Sequence, residues 1–244
     1  MIKLSVQLWS VKDATARDFI GTLEAIKKMG YDGVEFAGYG GISAEDMKKE
    51  LNRIGLEASG THVGVDALVN NLDEIIEYNK TIGNKYIICP SADVSTKEKC
   101  LELNSKFKDI DKKIRENGMI FGFHNHAEEF NVFDGKHAFD YLVENTDMVY
   151  ELDTFWSEYA GIDTLEYLSK LGKKCPLVHL KDMKIRENGE KVSAPYGTGI
   201  LDNKAIIEAS KKCNPEWFVI EWEEDDMDSL KAIKISIDNL KKLM

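Results

Sequence analysis

Eight short apolar runs recur along the 244-residue chain, each followed by a stretch of helical character. They fall at 3–9, 33–36, 57–62, 86–89, 119–124, 148–153, 177–180 and 217–222. Between them, apolar residues return every three to four positions. Phe19, Leu23 and Ile26 do so first, then Leu72, Ile75, Ile76 and Ile82. Leu101, Phe107, Ile110 and Ile114 follow, and Leu230, Ile233, Ile237 and Leu240 mark the last stretch. Each set is one buried face of a helix. Near-continuous apolar strands alternating with amphipathic helices predict a parallel sheet covered by helices. Gly30, Gly55, Gly83, Gly118 and Gly172 each follow a helical stretch and precede a run, where a left-handed cap is expected. Ser43 and Thr96 stand as N-caps, each with a glutamate two residues on.

Eight such units in 244 residues predict an α/β chain closed into a (β/α)8 TIM barrel, one domain spanning 1–244. An open doubly wound sheet is the competing architecture. Against it, no G-x-G-x-x-G follows the first run, and no linker rich in Pro, Gly or Ser divides the chain.

The net charge of −11 repels phosphate backbones, so nucleic acid is not an expected partner. Lysine pairs such as Lys27 with Lys28 and Lys241 with Lys242 read as solvated helix faces. No apolar run approaches membrane-spanning length, and no basic stretch precedes a long apolar one at the start. No membrane association is expected, and the cytoplasm is the default compartment. Cys89, Cys100, Cys175 and Cys213 form no C-x-x-C pair and read as buried free thiols.

Active sites of such barrels lie at the C-terminal ends of the strands. The runs end, in order, at Gln7 and Trp9, at Glu35, at His62, at Cys89, Pro90 and Ser91, at His124, Asn125 and His126, at Asp153, at His179 and at Glu221. Four of the five histidines therefore share one face, while His137 reads as a helix start. His124, Asp153, His179 and Glu221 come from consecutive strands. Two imidazoles and two carboxylates converging on one spot form a donor set for a divalent cation, Mn²⁺ first, with Zn²⁺, Co²⁺ or Mg²⁺ as alternatives. Plainer roles stand beside this one. His62 could be a hydrogen-bonded structural residue, Glu35 the partner of a lysine, His126 a group that orients its loop, and Asn125 a backbone ligand. Glu128 and Glu129 could cap a helix or contribute an oxygen.

Longer strings also stand in a fixed order. They are Q-L-W-S at 7–10, G-Y-D-G-V-E-F at 30–36, F-H-N-H-A-E-E-F at 123–130, E-L-D-T-F-W at 151–156, H-L-K-D at 179–182, G-T-G-I-L-D at 197–202 and V-I-E-W-E at 219–223. Together they resemble the xylose isomerase-like TIM barrels, specifically the sugar phosphate isomerase/epimerase group. The H-N-H variant is similar to inosose dehydratase-like and 3-keto-sugar-processing members. The resemblance spans nearly the whole chain. It implies one divalent cation held by residues from strands five to eight, commonly Glu, Asp, His and Glu. Asp153, His179 and Glu221 match the last three. His124 stands where many epimerases carry glutamate.

The resemblance further implies chemistry on a small carbonyl-containing sugar. The leading expectation is a metal-dependent isomerase or epimerase working through an enediolate. Glu221, Glu35 and His62 are its candidate general bases. Lys181 is a candidate to bond a substrate oxygen or offset the enediolate charge, with a salt bridge to Asp182 as the plainer role. Trp9, His126 and Trp156 are candidate substrate-binding residues. A lyase acting by β-elimination on an inosose or 3-keto-glycoside shares the first step. An endonuclease IV-like phosphodiesterase and a non-catalytic sugar-binding barrel are weaker alternatives. Homo-oligomers are common in this group.

Overall fold

Strands apolar on both faces leave no face for water, and a closed ring covered by helices satisfies all of them. The computed structural model describes residues 2–224 and 226–244. In it the runs form eight parallel strands, β1 (Lys3–Gln7), β2 (Gly33–Phe36), β3 (Glu57–His62), β4 (Tyr86–Cys89), β5 (Ile120–His124), β6 (Val149–Asp153), β7 (Leu177–Leu180) and β8 (Trp217–Ile220). They pair in chain order, and β1 closes the barrel on β8 with Ser5 opposite Val219. The outer core lies between barrel and helices, where Leu23, Ile26, Phe107, Ile114, Ile233 and Ile237 are buried. The (β/α)8 expectation is correct.

Inside the ring, alternate residues of each strand face the axis. Leu177 and His179, Val219 and Glu221, and Val149, Glu151 and Asp153 form such series. Tyr86, Ile88, Leu177, Trp217 and Val219 cluster together as an apolar floor. The polar members of the same series stand above it, toward the C-terminal ends of the strands.

Some local expectations change. β1 stops at Gln7, not at 9, because the Gln7 side chain accepts from Trp9 N (3.0 Å) and starts the 3-10 turn Leu8–Val11. β8 stops at Ile220, and Trp222 N donates to Ser10 Oγ in the turn after the neighbouring β1 (3.0 Å). Gly30, Gly55 and Gly83 take the expected left-handed caps, whereas Gly172 (φ 51°, ψ −133°) opens the short turn Gly172–Lys174. Two hairpins sit outside the barrel. Val132–Phe133 pairs with Lys136–His137, and Asp182–Ile185 with Lys191–Ala194. All four cysteines are free and buried, as expected. Among the described residues, no helix is long and apolar enough to cross a membrane.

Candidate metal centre

The four residues of consecutive strand ends converge. His124 Nε2 lies 3.6 Å from Asp153 Oδ2. His179 Nδ1 lies 3.4 Å from Glu221 Oε2 and 3.9 Å from Asp153 Oδ2. One donor atom from each residue falls within 4.8 Å of all the others. Donors bonded at about 2.1 Å around a tetrahedral cation are roughly 3.4 Å apart, so little contraction is needed.

Two observations support a fit to a cation. His124 Nε2 and Asp153 Oδ2 are both buried, and neither has a hydrogen-bond partner. Burial, reinforced by the His179 and His62 imidazoles, pushes the His124 pKa down to about 3, so the ring is neutral. Its Nδ1 lies 3.4 Å from Pro90 O, where the neutral ring can place its proton and turn the Nε2 lone pair toward the carboxylate oxygen. Buried polar atoms are normally paired, and a shared cation is the partner this donor set suits.

The surrounding chain orients these groups. Asp153 caps the helix Thr154–Tyr159 by accepting from Trp156 N (2.9 Å), and Asn125 Oδ1 accepts from Asp153 N (3.0 Å). Burial pushes the Asp153 carboxyl up to about 6. Burial acts the same way on Glu221, but Lys181 and His179 outweigh it and hold that carboxyl well below the ordinary range.

Beneath the centre lies a second buried layer of two carboxylates and two imidazoles. Glu35 Oε2 is 2.7 Å from His179 Nε2 and 3.3 Å from His62 Nε2. Glu151 Oε2 is 2.7 Å from His62 Nε2 and 3.3 Å from His179 Nε2. Gln7 Nε2 donates to Glu35 Oε2 (2.9 Å). Gly60 faces Glu35 across the β2–β3 pair, and a methyl group there would overlap Glu35 Oε1. Burial and the Glu151 charge push Glu35 up to about 7. Burial disfavours a charged His62, yet Glu35 and Glu151 outweigh it and raise its pKa. Glu35 is thus tied to His179 and Gln7 and to no lysine. Glu151 was not anticipated. Its signal was present, since Glu151 and Asp153 are two apart in one strand and must share a face.

Above the centre opens a cavity of about 430 Å³, whose walls include Trp9, His62, His124, His126, Glu221 and Glu223. Trp9 is 47% exposed. Trp156 packs behind His126, ring centroids 5.2 Å apart. Lys181 is buried, with Nζ 5.1 Å from the Trp156 ring and 3.4 Å from Glu221 Oε2, and it also pairs with Glu223. Lys181 therefore makes no salt bridge to Asp182. The Asp182 carboxylate instead accepts from the backbone N of Met183, Gly197, Gly199 and Leu201 and from Asn203 Nδ2, all within 2.7–3.2 Å. This explains the joint occurrence of H-L-K-D and G-T-G-I-L-D, because the aspartate of the first string holds the loop of the second. Glu129, buried under the loop after β5, accepts from His126 N (2.7 Å) and holds that imidazole's backbone in place.

Known proteins share this architecture. A family model, Xylose isomerase-like TIM barrel, matches residues 23–243. A sugar phosphate isomerase/epimerase from Parabacteroides distasonis superposes with TM-score 0.83 at 22% identity, covering 98% of each chain. The IOLI protein, solved with a bound zinc atom, gives TM-score 0.78 at 15% identity over 99% of this chain and 98% of that one. An L-ribulose 3-epimerase gives TM-score 0.75 at 11% identity over 100% and 94%. No curated protein sequence gives a significant match. At these identities the structural likenesses show the fold, and the family match over most of the chain shows the lineage: this chain belongs to the xylose isomerase-like TIM barrel family.

Proposed function

We infer that this protein is a metal-dependent isomerase or epimerase acting on a small keto-sugar through an enediolate. One observation carries the reading. Two buried donor atoms without partners, His124 Nε2 and Asp153 Oδ2, face each other with His179 Nδ1 and the Glu221 carboxylate at the floor of an open cavity. A divalent cation held by His124, Asp153, His179 and Glu221 would supply Lewis acidity toward a carbonyl, which stabilises charge as an α-proton leaves.

The chain's own groups take the remaining roles. Of the three candidate bases, Glu221 and His62 line the cavity, whereas Glu35 stands behind His179. Proton removal is assigned to Glu221 and proton return to His62 through Nδ1, the Nε2 of that ring being engaged with Glu151 at 2.7 Å. Lys181 balances the Glu221 charge. Trp9 offers a partly exposed apolar wall, and His126 a polar edge, to a sugar ring.

The test is solvent exchange. With Mn²⁺ present, a panel of ketoses in D₂O should acquire deuterium at the α-carbon by NMR. A chelator should abolish that exchange and added Mn²⁺ restore it. Exchange that persists in fully stripped protein sinks the proposal.

One observation favours a second reading. His124 occupies the strand-end position where the resemblance leads one to expect glutamate, removing one carboxylate from a two-glutamate proton shuttle. A β-elimination on an inosose or 3-keto-glycoside needs one base and a leaving group, so the arrangement suits a lyase as well. Product mass separates the two readings: a lyase product is lighter by water or an aglycone, and an epimer is not.

A further inference from the structure

Barrels of this kind frequently seat a substrate phosphate on the loops after strands seven and eight and on a helix N-terminus there. Here those positions carry carboxylates of the chain itself. The loop after β8 presents Glu223, Glu224, Asp226 and Asp228. The helix that follows, Ser229–Leu243, is capped by Asp228, which accepts from Lys231 N (2.9 Å), and Ser229 Oγ donates to Asp13 Oδ1 (2.6 Å). The helix after β7, Asn203–Lys212, is likewise capped by Asp202.

Three of the nearby cations are already matched by carboxylates. Lys181 lies between Glu221 and Glu223. On the β7 hairpin, Lys184 pairs with Asp226, and Arg186 with Glu190 (2.9 Å) and Glu224 (2.5 Å). Lys12 rests 4.0 Å over the Trp9 ring and lines the neighbouring surface clefts. Among the described residues, no arginine or lysine lines the cavity, while Glu221 and Glu223 do.

We propose that the substrate is an unphosphorylated, uncharged polyhydroxy carbonyl compound, and that Glu223 is a specificity-determining residue that turns phosphate esters away. The proposal rests on the keto-sugar reading of this cavity and narrows its substrate class. One unit of negative charge brought beside Glu223, whose own charge Lys181 offsets only in part because it is shared with Glu221, corresponds to roughly tenfold weaker binding. The neutral hydroxyls of a sugar meet no such repulsion.

Matched pairs test this: D-fructose with D-fructose 6-phosphate, and D-ribulose with D-ribulose 5-phosphate. Binding to the Mn²⁺-loaded protein is measured by calorimetry, and α-proton exchange by NMR. The free sugar should bind at least about tenfold tighter than its ester, and Glu223→Gln should narrow that gap while the free sugar still binds. An ester that binds as well as or better than its free sugar overturns the proposal, as does a gap that Glu223→Gln leaves unchanged. Failure of the reaction reading looks different: free sugars bind preferentially, yet no pair exchanges its α-proton.

Discussion

His179 Nε2 is 2.7 Å from Glu35 Oε2, while Nδ1 of the same ring faces Glu221 Oε2 at 3.4 Å. With Nε2–H donated to the buried carboxylate, the Nδ1 lone pair is left for a cation. A carboxylate behind a histidine ligand fixes both ring orientation and tautomer.

Glu35→Ala is therefore expected to weaken Mn²⁺ and Zn²⁺ affinity by about 10- to 100-fold, read by competition with a chromogenic chelator. Glu35→Gln, which keeps an acceptor, should lose less. Gly60→Ala should act in the same direction as Glu35→Ala, because its methyl would displace Glu35 Oε1. Unchanged affinity in Glu35→Ala would show that Glu35 has no orienting role.

The donor set itself predicts metal-linked stability. Adding a cation at about 100 times its Kd should raise unfolding free energy by about 2.7 kcal/mol, seen as a higher Tm. His124→Ala should lose much of that gain. His124→Glu, which supplies an oxygen donor instead of imidazole, should shift preference from Zn²⁺ toward Mn²⁺ and Mg²⁺. A Tm indifferent to metal in the parent protein would be incompatible with the centre.

Asp182 accepts from four backbone N–H groups and Asn203, and it is fully buried. Asp182→Ala strands those donors and should lower unfolding free energy by roughly 3–5 kcal/mol in urea titration. The loop at 195–203 should also become open to proteolysis. Gly199→Ala should mimic it, since a methyl there would overlap Met183 O and Asp182 Oδ1. Full stability in either variant would contradict the clamp.

Burial raises the Glu129 pKa from 4.5 to about 7. The folded chain then holds this proton where the unfolded chain has lost it. The resulting stabilisation is complete below pH 4.5 and is lost as pH rises through about 7. At 1.36 kcal/mol per unit, the difference amounts to about 3 kcal/mol. Glu129→Gln cannot titrate and still accepts from His126 N. Its stability should gain on the parent's between pH 4.5 and 8, measured by urea titration at each pH. Parallel curves would refute the shift.

Much of this was legible along the chain. Short apolar runs and period-3.6 patterns are local, so the strands emerged within two residues of their observed ends, and strand ends in a barrel share one rim. That was sufficient to bring together His124, Asp153, His179 and Glu221. Roles that depend on depth were not legible. Glu35 and His62 both end strands, yet only His62 reaches the cavity wall while Glu35 turns under His179. Glu128 and Glu129 read as helix caps or oxygen donors, whereas Glu129 is buried against a loop backbone.

The sequence by itself determined the barrel and the chemical types gathered at its mouth, because hydrophobic period and strand order need only neighbouring residues. Only the tertiary structure decided that Glu151 faces His62 and His179, that Asp182 binds a loop fifteen or more residues away, and that Lys181 is neutralised between Glu221 and Glu223. These contacts depend on the stagger between strands and on the path of the loops after β7 and β8. Both are set when the ring closes, and no local pattern encodes them.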